Sequence, residues 1–376
     1  MTTDFQKESL SFAQKCFDDV RAMSKDTTGV SRQGYGPVET KVLEYFKKIG
    51  EELKLEISTD KAGNVWMTVP GKNRNLPALV SGSHADSVPQ GGNYDGLAGI
   101  VAALTVARWM RETGYQPERD YTVLMMRMEE SSWFGKCYVG SLGMTGQLTE
   151  KDLALKHRSN GKTLAETIKE CGFNPDDLTT GKPVVDLSKM AAFIELHIEQ
   201  GPVLESEQKQ IGIVDSIVGI VNYELTIHGS QNHAGTTSMP LRHDPVVAAA
   251  EFITESTRQM MAEAPSATLT YGAIQVFPGM QNVIADRVNL RIDMRDGSEE
   301  ELLHDEAILK HALESIESKG FKLRLGQNHW LKSAKMDPNV IQVIEQHCEE
   351  KHLAYKHMNS GAGHDSMVFG KHFPTA

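Results

Sequence analysis

The sequence predicts an α/β protein, a mixed sheet flanked by helices, interrupted by a second unit of α+β character. Three observations carry this. Strand-like and helical patterns alternate from the N-terminus onward. The apolar strands that end at Ser83 and Met128 run straight into polar clusters, the place where open α/β sheets hold their sites. After Gly212 the texture changes to strands of alternating polarity with two long helical patterns. The expected organisation is a first domain over 1–211, an insertion over 212–326, and a return to the first domain over 327–376.

Taken in order, residues 9–22 read as a helix, and 37–53 as another with Val42, Leu43, Phe46 and Ile49 on one side. Residues 55–69 and 78–83 are strand-like. Residues 97–111, rich in Ala, Val, Ile and Leu, form a helix of buried character that stops near Gly114. Residues 121–128 are an almost unbroken apolar run, the pattern of a strand covered on both faces. In the insertion, strands are expected at 221–228, 267–276 and 287–295, and helices at 245–262 and 299–319. From about Gln327 a strand, a helix over 338–351 and a Gly-rich loop complete the chain.

Composition bounds the function. At roughly 100–200 residues per domain, 376 residues give two or three domains, and 40% hydrophobic with 24% charged residues is ordinary globular usage. The charge sum of 39 basic against 50 acidic residues, −11 overall, contains no basic run, which argues against nucleic acid as a partner. The longest apolar stretches fall short of the roughly 20 residues that span a bilayer, so no membrane partner and a soluble chain are expected. The start, Met1-Thr2-Thr3-Asp4, has no basic and apolar leader pattern. Cys16, Cys137, Cys171 and Cys348 stand singly without a CxxC, implying neither a disulfide framework nor a thiolate metal site. A cytoplasmic location is the expectation.

Four segments carry candidate chemistry. His84 and Asp86, two apart at a strand end, suit a metal ligand and the carboxylate that orients it, although a His hydrogen-bonded at a strand end reads the same way. Asp95 lies in Gly91-Gly92-Asn93-Tyr94-Asp95-Gly96, just before the 97–111 helix, where an isolated Asp would be a helix cap or turn residue. Glu129 and Glu130 follow the 121–128 strand. A cation would relieve the repulsion of one, leaving the other as a general base, and a solvated strand end is the plain alternative. His197 follows the apolar Phe193-Ile194 in a second strand-to-His segment. Oxygen and imidazole ligands without thiolate suit zinc, manganese or cobalt, and an Asp can bridge two ions roughly 3.5–4 Å apart.

Taken together, His84-Ala85-Asp86-Ser87-Val88-Pro89, the Gly91 to Gly96 loop, Glu129-Glu130-Ser131, His197-Ile198-Glu199-Gln200-Gly201, His233-Ala234-Gly235-Thr236-Thr237 and Gly361-Ala362-Gly363-His364-Asp365 occur in an order that resembles the hydantoinase/carbamoylase amidases. That group, within the dinuclear metallopeptidase superfamily, includes N-carbamoyl-L-amino-acid hydrolases, allantoate amidohydrolase, ureidoglycolate amidohydrolase and β-ureidopropionase. The resemblance spans nearly the whole chain. It implies a zinc-peptidase-like catalytic domain with an inserted lid and dimerisation domain, and two divalent ions, zinc or manganese, per subunit. It further implies His84, Asp95 and His197 as ligands of one ion, Asp95 as the bridge, Glu130 on the second ion, Glu129 as general base, Asp86 orienting His84, and a cis Asp95–Gly96 peptide. Gln200, Asn282, Arg295 and His364 become substrate residues, Arg295 as a carboxylate clamp. His233 becomes the donor to the oxyanion, reaching the site from the partner of a homodimer.

Two departures qualify the match. The family commonly reads Glu-Glu-Gly-Ser-Arg-Phe where this chain has Glu129-Glu130-Ser131-Ser132-Trp133-Phe134, trading a cation for an indole. Relatives also continue past the equivalent of Ala376 with a Gly-Ile-Ser-His segment whose His completes the second metal site, so the expectation is a final domain segment that is incomplete, with that site weak or empty. The resulting expectation is an amidohydrolase for the linear amide or ureido bond of a small carboxylate, in the class of N-carbamoyl-L-amino acids, allantoate or ureidoglycolate. Hydrolysis of N-acyl amino acids or dipeptides, and a metal-poor silent dimer that binds a small carboxylate, are the rival expectations.

Overall fold

The computed structural model describes residues 3–376; Met1 and Thr2, which open both the 1–211 domain and the stretch read for a leader, lie outside the described residues. The chain divides into two compact units, one running to Ile211 with Met336–Tyr355 and His364–Ala376, the other comprising Gly212–Lys335 and Lys356–Gly363.

In the first unit, β1 (Glu56–Thr59), β2 (Val65–Val69), β3 (Ala78–His84), β4 (Tyr121–Met126) and β5 (Met190–Ile194) form one sheet in the order β1-β2-β4-β3-β5. The pairs β1/β2 and β2/β4 are antiparallel while β3/β4 and β3/β5 are parallel, giving the mixed sheet that the sequence predicts. Two expected strands differ in extent. The 55–69 strand is a hairpin, because Asp60 accepts the Asn64 amide at 3.0 Å and Gly63 adopts a φ of 83°, so that the backbone reverses. The 121–128 strand stops at Met126: Met128 has a φ of 46°, and its amide donates to buried Glu39 at 2.9 Å instead of to a neighbouring strand.

Helices α1 (Thr3–Ser24), α2 (Pro37–Glu52) and α3 (Leu97–Thr113) cover one sheet face. Val42, Leu43 and Phe46 of α2 and Ile100 and Leu104 of α3 bury against Met67, Val123 and Met125. Proline opens α2 at its first turn, where no amide is needed, and left-handed Gly114 closes α3. The other face packs Val80, Leu124 and Phe193 against Val368, Phe369 and Phe373 from the end of the chain.

The second unit contains β6 (Ile211–Ile217), β7 (Gly219–His228), β8 (Asn232–His233), β9 (Thr268–Phe277), β10 (Val283–Ile284), β11 (Arg287–Asp296), β12 (Lys322–Leu331), β13 (Ala334–Lys335) and β14 (Tyr355–Ser360). Its main sheet runs β12-β7-β11-β9, antiparallel throughout, beside a β8/β10 ribbon and a β13-β6-β14 sheet. Alternate residues of β7 and β11 bury against the helices Pro245–Glu263 and Glu299–Glu317, with Leu225, Leu290 and Met294 meeting Phe252, Leu302 and Leu309. Asp244 and Ser298 cap these helices through their side-chain oxygens.

One polar group sits badly in this core. Asp305 is fully buried, and neither of its carboxylate oxygens has a hydrogen-bond partner. Burial, reinforced by Asp296 and Glu301, pushes its carboxyl up to about 7. A folded-state pKa above the ordinary aspartate value means that the stability of the protonated form is present at low pH and is lost as pH rises through about 7. Asp305→Asn removes that loss. Its stability advantage over the parent in urea melts is expected to grow between about pH 5 and about pH 8; an advantage that is constant or shrinks would refute the assignment.

Candidate functional site

The adjacent parallel strands β3, β4 and β5 end on the same edge of the sheet, so the segments that follow them, carrying His84 to Asp95, Glu129-Glu130 and His197, are delivered together. His84 is 1% exposed. Its Nδ1 lies 3.2 Å from both the carbonyl and a carboxylate oxygen of Asp86. Two acceptors there place the proton on Nδ1, so the neutral ring presents a lone pair at Nε2. His197 is set in the same way, with Nδ1 at 2.9 Å from the Ile198 carbonyl and Nε2 accepting the Gly96 amide at 3.3 Å. Both Nε2 atoms face Asp95 Oδ1, at 3.6 Å from His84 and 3.1 Å from His197.

Three ligand atoms thus converge within 4.8 Å of one another, the one such group of His, Cys, Asp or Glu among the described residues. Two ring nitrogens closing on one carboxylate oxygen call for positive charge between them. A proton feels the same field as a cation: burial pulls the His84 pKa down, but Asp86 and Asp95 outweigh it and hold it well above the ordinary value, so a bound ion competes with a proton there. Burial likewise raises Asp95, and His197 with His84 outweighs it, holding the carboxyl well below the usual range. Two imidazoles and a carboxylate with no thiolate, each imidazole fixed by an acceptor on its far nitrogen, fit a divalent ion such as zinc or manganese.

The turn that presents Asp95 needs a glycine. Gly96 has a φ of 65°, and a Cβ there would stand 2.5 Å from the His84 ring and carbonyl. The Asp95–Gly96 peptide is trans, correcting the cis bond that the resemblance implies; among the described residues the cis peptide is Phe277–Pro278. The positive φ of Gly96 makes the turn instead.

Asp86 is fully buried and serves more than His84. Its carboxylate also accepts the amides of Glu129, at 2.9 Å, and Glu130, at 3.2 Å. The two glutamates are thereby held beside the ligand group by their backbones. Burial, with Asp365 and Glu130 adding repulsion, holds the Glu129 carboxyl well above the usual range, against the pull of His84. Burial also pushes Glu130 up to about 7. Glu130 is not a member of the converging group.

Other residues singled out in the sequence fall in two places. In the first unit, Gln200 donates to Asp95 Oδ2 at 2.8 Å from a backbone φ of 56°, a conformation uncommon outside glycine and here tied to the converging group. The His364 ring lies against His197 with ring centres 4.4 Å apart and planes tilted by 47°, and burial together with His197 pushes its pKa down to about 4. Trp133 donates its indole N–H to the Ser87 carbonyl at 2.9 Å, pinning the glutamate segment to the turn after Asp86. In the second unit, His233 of β8 and Asn282, just before β10, are exposed neighbours, and the Ala234 amide donates to the Asn282 carbonyl at 3.0 Å. Arg295 is gripped side-on by Asp293, at 2.6 and 3.2 Å, and donates to the Gly361 carbonyl at 3.0 Å.

Sequence reasoning missed two supports of the first-unit group. Glu195 accepts Ser83 Oγ at 2.8 Å and both the amide and hydroxyl of Ser366, joining β3, the segment after β5 and the short helix Ser366–Phe369. Its position two before His197 in a strand-like run was a usable signal. Arg32, fully buried, had no such signal.

Comparison with known proteins gives a consistent picture. A model of Peptidase family M20/M25/M40 matches residues 80–376. The chain is 31% identical to an N-carbamoyl-L-amino-acid amidohydrolase of Paenarthrobacter aurescens, over 97% of this chain and 89% of that protein. It is 31% identical to an allantoate amidohydrolase of Escherichia coli (strain K12), over 92% and 84% respectively. Among solved structures, an amidase of the hydantoinase/carbamoylase family from Burkholderia multivorans superposes with a TM-score of 0.88 at 30% identity, covering 96% of this chain and 87% of that one.

Proposed function

The chain belongs to Peptidase family M20/M25/M40, on its hydantoinase/carbamoylase amidase side, and from that premise we propose that it hydrolyses the linear amide or ureido C–N bond of a small carboxylate. The substrate class is that of N-carbamoyl-L-amino acids, allantoate and ureidoglycolate. The observation that carries the reading is the convergence of His84, Asp95 and His197, tautomers fixed, beside two glutamates whose charged forms are disfavoured.

His84, Asp95 and His197 would hold a divalent ion, which when bound would supply Lewis acidity toward the scissile carbonyl and toward water. Glu129 takes the proton of the attacking water and returns it to the departing nitrogen. Asp86 keeps that carboxylate in place through the Glu129 amide. Glu130, together with Asp95, is assigned to a second ion. Gln200, His364, Asn282 and Arg295 are assigned to substrate recognition, with the Arg295 guanidinium suited to the carboxylate, and His233 to the oxyanion.

The second unit is also assigned to lid and homodimer formation. In support, β9 is an edge strand that exposes Ile274 and Val276; a native mass of two subunits is the check. Four free cysteines support a reducing cytoplasm, and among the described residues no helix is long and apolar enough to cross a membrane.

Bound metal per subunit and ammonia release from N-carbamoyl amino acids, allantoate and ureidoglycolate test the reading together. Metal binding with release from one of these is the expected result. Bound metal with turnover only of N-acyl amino acids would overturn the substrate class, and no bound metal would overturn the mechanism.

A further inference from the structure

Arg32 is one of the largest fully buried side chains in the protein, and it lies outside every motif that pointed to function. Its Nε donates to the Ala85 carbonyl at 2.8 Å, its Nη2 to the Asp95 carbonyl at 3.2 Å and its Nη1 to Asn93 Oδ1 at 3.4 Å. Ala85 sits between His84 and Asp86, so one planar guanidinium joins the peptide after the first ligand to the peptide of the second. The Arg32 backbone is fixed on the same loop: its amide donates to Ser87 Oγ at 3.0 Å, and its carbonyl accepts the Ser87 amide at 2.9 Å.

All three acceptors of the guanidinium are neutral. A buried cation without a contact counter-ion is costly. For packing alone, an apolar side chain would serve at lower cost. A rigid fork that reaches two ligand-bearing loops at once is something arginine supplies and lysine does not.

We propose that Arg32 is a positioning residue of the metal centre, setting the spacing of His84 and Asp95 by clamping the backbones of the two loops that carry them. The inference rests on the metal reading above. Its probe is cobalt(II), titrated in a chelator buffer and followed by visible absorption, with the parent, Arg32→Lys and Arg32→Met. Both variants are expected to bind cobalt about ten- to a hundredfold more weakly, as for lost partners of metal ligands elsewhere, and to show an altered cobalt spectrum. Removing a positive charge by itself tightens cation binding, so a loss in Arg32→Met isolates geometry. A merely structural role would lower the melting temperature of the metal-free protein without changing the cobalt spectrum of the folded fraction. Should Arg32→Met not fold, Arg32→Lys, which retains the charge, decides alone. Parent-like affinity and spectrum in Arg32→Lys, or tighter binding in Arg32→Met, would overturn the proposal. A parent that binds no cobalt would instead overturn the metal reading.

Discussion

Glu129→Gln is expected to lower kcat by about a hundred- to ten-thousandfold, the range for loss of a general base, while bound metal stays at the parent's level. Glutamine keeps the shape of the side chain and the backbone amide that donates to Asp86, but it cannot accept a proton. Burial makes this carboxylate a stronger base than an exposed one, the direction that taking a proton from water calls for. The same burial gives the substitution a second signature. A neutral amide relieves the cost of an ionised group in that position, so Glu129→Gln is expected to melt at a higher temperature than the parent. Activity lost with stability gained cannot be attributed to misfolding. Parent-like kcat would remove Glu129 from the chemistry, and lost metal would make it a ligand instead.

The parts of this site that the sequence made legible are those with a local signature. His84 and His197 each follow an apolar strand, Glu129-Glu130 ends another, and Asp95 precedes a helix; strand-end position is a pattern visible in one dimension. Order along the sheet is not, and it is the β4-β3-β5 adjacency that makes these four segments neighbours. Long-range partners explain the misjudged elements as well. The 121–128 run remains apolar past Met126, and what ends the strand is the carboxylate of Glu39, far back in the chain, which takes the Met128 amide. The hairpin at 60–64 was written in Asp60, Gly63 and Asn64, but the apolar alternation on both sides concealed it. Arg32 stands in an ordinary loop segment, Gly29-Val30-Ser31-Arg32, and only tertiary structure shows that its guanidinium ends between the peptides of Ala85 and Asp95. Gln200 was singled out by its motif, while its hydrogen bond to Asp95 depends on a left-handed backbone that composition does not announce.

Asp86→Asn is expected to damage the centre twice over, because every group that this carboxylate meets requires an acceptor. It faces His84 Nδ1 at 3.2 Å and receives the Glu129 and Glu130 amides on separate oxygens. Asparagine offers one acceptor oxygen, so one backbone amide is left opposite an N–H group, at a cost of about 1–3 kcal/mol for a buried unsatisfied donor. It also removes the charge that favours a proton on His84 Nδ1, and a ring protonated at Nε2 instead has no lone pair to offer a cation. Metal affinity is therefore expected to fall about ten- to a hundredfold. Saturating metal restores occupancy but not the geometry of Glu129, so kcat under saturation is expected to remain at least about tenfold below the parent. A chelator-buffered metal titration separates the two deficits from each other. Weaker metal binding with full kcat at saturation would confine Asp86 to orienting His84, and parent-like behaviour in both measurements would show that its three contacts carry no part of the activity. Loss in both arms is the outcome that the shared carboxylate dictates, since a single group that fixes a ligand and the base cannot be neutralised without disturbing each.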